Sequence, residues 1–107
     1  MKRHTSIHGC YSVEPMPAQS QLALCHSFFV PASHRGNGSG HRLKADQMKA
    51  LAFQHYDYAI CTVDGKNEAQ KQILLKAGWH RLASFPNSKT GGSTEILGWL
   101  VGDGGVS

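Results

Sequence analysis

Three glycines at alternate positions, Gly36, Gly38 and Gly40, lie in the stretch HRGNGSGHRL (34–43), with Arg35 before them and a basic, helix-prone run behind. A strand, a glycine-rich turn and a helix in that order make an anion site. Backbone N–H groups point outward there, and the helix N-terminus carries a partial positive charge. Removing side chains at positions 36, 38 and 40 lets a pyrophosphate lie directly against the amides. The plainer reading of the same glycines is a flexible connecting loop.

Two other phosphate loops are excluded by spelling. A Walker loop needs Lys-Ser or Lys-Thr after its last glycine, whereas Gly40 is followed by His41 and Arg42. A dinucleotide fingerprint counted from Gly36 and Gly38 puts His41 where its third glycine belongs. Metal chemistry has thin support: His4, His8 and Cys10 share a short N-terminal stretch whose mobility argues against a site, and no metal is expected. Cys10, Cys25 and Cys61 are odd in number, widely spaced and without a C-x-x-C pair, so they read as reduced, mostly packed thiols.

The chain that must position these residues has 107 of them, which suits a single domain spanning 1–107. Apolar residues make up 40% and no run approaches the ~20 needed to cross a bilayer, so a water-soluble protein without a membrane partner is expected. The basic start lacks an apolar stretch behind it, which argues against a secretory signal and for a cytoplasmic location. A formal charge of +4 favours an acidic partner. Nucleic acid is the weaker choice, because Arg35, Arg42, Lys44 and Lys49 lack aromatic interleaving.

Periodicity and turn residues predict strands at 7–13 and 21–30 that pair as an antiparallel hairpin across the turn EPMPAQSQ. A helix follows over 40–54, with Leu43, Ala50 and Leu51 on its apolar face and Arg42, Lys44, Asp46 and Lys49 elsewhere. Then come a strand at 56–63, a helix over 67–77 capped by Asn67 and ended by Gly78, and strands at 79–85 and 94–101. The residues 102–107 read as a flexible tail. The expected order is β-β-α-β-α-β-β.

Arg35, Gly38 and Gly40 spell R-x-x-G-x-G, and FFVPASHRGNGSGHRL resembles the acyl-CoA-binding motif of the GNAT N-acetyltransferase superfamily. A second stretch, NEAQKQILLKAGW, is similar to that family's N-x-x-A-x-x-L-Y-x-x-x-G-F. The resemblance covers about residues 21–85. It implies an α/β fold: a mixed, mostly antiparallel sheet flanked by two helices, whose strands ending near Val30 and starting at Tyr58 splay apart to admit the ligand. It implies acetyl-CoA or another acyl-CoA as cosubstrate and an amine as acceptor. Val30 ends the strand that pairs with pantetheine. Arg35, Gly36, Asn37, Gly38, Ser39 and Gly40 form the diphosphate cradle. Asn67 steadies the pantetheine arm. As bare residues, Arg35 also reads as a solvated loop charge and Asn67 as a helix cap only.

The resemblance departs in two ways. The family's proton-donating tyrosine falls at Leu74, which cannot serve, so catalytic residues are unassigned. His26, on the strand entering the loop, is the substitute candidate, aligned by alternation with Leu24, Phe28 and Val30; a structural histidine is the plainer reading. Cys61, on an apolar strand, reads as an inert thiol. Most of the family's N-terminal strand-helix-helix segment is also missing, with about twenty residues before the second strand. Two functions follow: an N-acetyltransferase whose acceptor site is completed by a protein partner or a second copy, or an inactive GNAT-like subunit of a larger assembly such as a virion.

Overall fold

A computed structural model describes residues 2–102, so all of the expected tail except Gly102 lies outside the described residues. Six strands form one sheet in the order β1-β2-β3-β4-β6-β5. They are β1 (Lys2–Ser6), β2 (Gly9–Met16), β3 (Gln19–Phe29), β4 (Tyr58–Asp64), β5 (His80–Pro86) and β6 (Ser93–Leu100). Helix α1 (Ser39–Phe53) joins β3 to β4, and α2 (Glu68–Lys76) joins β4 to β5. Only the β3–β4 pair is parallel; the other four pairs are antiparallel. This is the expected mixed sheet with two flanking helices.

The strand predicted at 7–13 is a correction. A turn at Ile7 and His8 cuts it, giving β1 and β2 as a hairpin in register Lys2↔Val13 to Ser6↔Gly9. The polar run KRHTS shows little apolar alternation, so only pairing with β2 reveals it as a strand. The turn expected over 14–21 is shorter as well. Strand β2 continues through Pro15 to Met16, and Ala18, with φ 64°, helps reverse the chain into β3.

Both helices contribute to one core. Leu43 and Leu51 from α1 and Leu74 from α2 pack with Ala23, Cys25, Ala59, Cys61, Val63, Leu97 and Trp99 of the sheet, and with Trp79 beyond α2. Leu22, Leu24, Tyr58, Ile60 and Ile96, on the other face of the strands, are only half-buried. All three cysteines are free and buried. No helix of the described residues is long and apolar enough to cross a membrane.

Candidate functional site

Strands β3 and β4 pair in parallel from Leu22↔Tyr58 to Cys25↔Cys61 and then separate. The cause is local. Ser27 has φ 57°, a conformation disfavoured for a residue with a side chain, and it breaks the pleat. This corrects the alternation expected for His26. His26 pairs with Ser12 beside Leu24↔Glu14, whereas Phe28 and Val30, past the bulge, pack against the core.

Beyond β3 the chain makes a short 3₁₀ turn, Ala32–His34, and enters the glycine loop. Gly36 and Gly38 take φ of 84° and 86°, and Gly38 is the left-handed residue that starts α1. The loop faces solvent from Arg35 through Gly38. Among the described residues, the backbone N–H groups of Gly36, Asn37, Gly38, Gly40 and His41 have no intramolecular acceptor. They form a row of unpaired donors at the positive end of a fifteen-residue helix.

The cradle residues divide into two sets. Val30, Arg35, Gly36, Gly38, Gly40 and Asn67 line a groove of about 730 Å³ that runs between the loop, the end of β3 and the start of α2. Asn37 and Ser39 do not line it. Asn37 Oδ1 accepts from Ser39 N at 3.2 Å and from Ser39 Oγ at 2.8 Å, which fixes the turn. Arg35 folds back so that Nε donates to Val30 O at 2.9 Å and its guanidinium lies 5.8 Å from the Phe29 ring centre. Asn67 caps α2, accepting from Gln70 N at 3.1 Å, and walls the groove at the same time.

Arg42 belongs to this loop too, although its sequence position suggested only an exposed helix face. Its guanidinium donates to Asn37 O at 3.0 Å and overhangs Gly38. One helical turn separates it from Gly38, so a basic residue four places after a helix-starting glycine was the available signal.

At its inner end the groove shares Phe28, Asn67 and Gln70 with a second cavity of about 220 Å³ between the separated strands. Cys25, Cys61, Lys44 and Gln47 form part of its wall. Lys44, expected on the polar side of its helix, is 1% exposed. Desolvation lowers its pKa, and burial pushes the Cys25 thiol up to about 12 and raises Cys61, so both thiols stay protonated.

His26 is part of a polar chain. Its Nε2 lies 2.7 Å from Glu14 Oε2 and its Nδ1 3.0 Å from Ser27 Oγ. The carboxylate can only accept, so Nε2 donates, leaving Nδ1 of the neutral ring to accept from the serine hydroxyl. Leu74 is fully buried in the core and turned away from this chemistry. His4 stacks on Tyr11 with ring centres 4.7 Å apart, and Cys10 Sγ accepts from Arg3. Among the described residues, no cluster of three or more metal-ligating side chains occurs.

No protein-family model matches the chain, and no curated protein matches it by sequence. Solved structures do match. An acetyltransferase of the GNAT family from Streptococcus pneumoniae superposes with a TM-score of 0.73 over 87% of this chain at 15% identity. The IAA acetyltransferase from Bacillus cereus gives 0.76 over 92% at 14%. The NatC complex bound to Gag peptide and CoA gives 0.75 over 87% at 18%. The chain spans 57%, 73% and 60% of those three chains, respectively. At such identities the likeness is one of architecture: this chain has the fold of the GNAT N-acetyltransferases.

Proposed function

We propose that the chain binds acetyl-CoA or another acyl-CoA and transfers the acyl group to an amine. The row of unpaired amides from Gly36 to His41, beside the groove between the loop, the end of β3 and the start of α2, carries this reading. Five free N–H groups at a helix N-terminus, with Arg35 in the loop and Arg42 in the first turn of α1, fit a diphosphate. The groove past Val30 and Asn67 suits the extended arm that follows.

The reaction is R–CO–S–CoA + R′–NH2 → R–CO–NH–R′ + CoA–SH. The amine lone pair forms the new C–N bond, the C–S bond breaks, and one amine proton ends on the thiol. On this reading, backbone N–H groups where β3 and β4 part polarise the carbonyl. Once the Ser27 hydroxyl turns away from it, Nδ1 of His26, its ring held by Glu14, accepts the proton of the incoming ammonium. Leu74 supplies no acid, so water relays to the departing thiolate the proton that the amine nitrogen loses on attack.

Leu74 favours a second reading, a GNAT-like binding subunit without turnover. One experiment separates the two: release of free thiol from acetyl-CoA over a panel of amines, alongside calorimetric binding of CoA. Binding with amine-dependent thiol release, both lost in Asn37→Glu, supports transfer. Binding alone supports the subunit, and no binding at millimolar CoA overturns both.

A further inference from the structure

The side chain least explained by the fold is Lys44. Burying an ammonium is costly unless a counter-charge and full hydrogen bonding compensate. Here Nζ reaches one acceptor, Gln47 Oε1 at 2.6 Å, and otherwise faces the rings of Phe28 and Trp79 at 4.4 and 4.7 Å from their centres. Among the described residues, no carboxylate lies within ion-pair distance of it. The neighbouring thiols supply no negative charge, since burial keeps both protonated.

Gln47 repeats the pattern. It is fully buried, its Oε1 is taken by Lys44, and its Nε2 has no partner. Two donor groups are therefore left wanting an acceptor on the wall of the 220 Å³ cavity, at the inner end of the groove. A water occupies ~30 Å³ of liquid, so this space takes several non-hydrogen atoms.

Resting on the acyl-CoA reading, we propose that Lys44 and Gln47 select an acyl group that ends in a carboxylate, of malonyl or succinyl size. The carboxylate accepts from Lys44 Nζ and Gln47 Nε2 and neutralises the buried charge. The CoA diphosphate stays on the glycine loop, and the thioester lies where β3 and β4 part. An acetyl group leaves both donors unsatisfied, so discrimination comes from their desolvation as much as from the new ion pair.

The test is calorimetric titration of the full chain with succinyl-CoA, acetyl-CoA and CoA. Succinyl-CoA is expected to bind ~10-fold more tightly than acetyl-CoA. In Lys44→Met the ratio is expected to fall to about one, and in Gln47→Leu to fall part of the way. Equal affinities in the unaltered chain would overturn the selection while leaving the acyl-CoA reading intact. Failure of all three ligands to bind would remove both. Because the titration of the unaltered chain decides the matter, the inference survives any folding defect in the variants.

Discussion

Asn67 caps a helix and also walls the groove, and one atom substitution separates the cap from the proposed ligand contact. Its Oδ1 caps α2, while its amide nitrogen is free to meet a ligand in the groove. In Asn67→Asp the capping oxygen remains, and aspartate caps as well as asparagine, so the midpoint of thermal unfolding is expected to hold within a degree or two. The donor is replaced by negative charge, and CoA affinity measured by calorimetry is expected to fall ~10-fold. Asn67→Ala loses the cap as well, at a cost of ~1 kcal/mol in denaturant unfolding. Unchanged CoA affinity in Asn67→Asp would mean that the side chain serves the helix alone.

The element that decides the site is β3, an eleven-residue strand that changes character at Ser27. Before it, Cys25 pairs with Cys61; after it, the pairing with β4 ends and the cavity opens. The conformation at Ser27 stores strain of order 1 kcal/mol. Ser27→Gly is therefore expected to stabilise the protein by ~1 kcal/mol, and Ser27→Val, β-branched at positive φ, to destabilise it by ~2 kcal/mol, both in urea unfolding. Neither change alters buried apolar contacts, since Ser27 is exposed. Helix α1 shows the converse behaviour: its apolar stripe was visible, yet it also buries Lys44 and Gln47, polar residues that close a cavity rather than a core.

At the scale of the whole molecule, one ionic cluster ties helix to sheet. Lys71 of α2 reaches Glu68 at 3.0 Å, Glu95 of β6 at 3.2 Å and Gly65 O at 2.7 Å, and Glu95 also accepts from Arg81 of β5 at 2.6 Å. Hydrogen bonds from Lys71 and then Arg81 hold the Glu95 carboxyl below the usual carboxylate range. A group with a depressed folded pKa stabilises fully above its unfolded value, ~4.3, and loses that contribution as pH falls through the folded value. Thermal unfolding followed by circular dichroism is expected to show a drop below about pH 4 that is flattened in Glu95→Gln. Sequence by itself determined the elements with strong local signals. The two helices, the Asn67 cap and Gly78 end of α2, and the strands from β3 onward fell within about two residues of expectation, because period, capping and turn chemistry are short-range. The glycine loop at the head of α1 was legible for the same reason, as was the inability of Leu74 to donate a proton. Only the tertiary structure decided that KRHTS is a strand, that Asn37 and Ser39 hold each other, that Arg42 overhangs the loop, and that Lys44 is buried without a counter-charge. Each of those depends on what lies across space, and burial of a charged side chain is set by the neighbours that surround it, not by its place on a helical wheel.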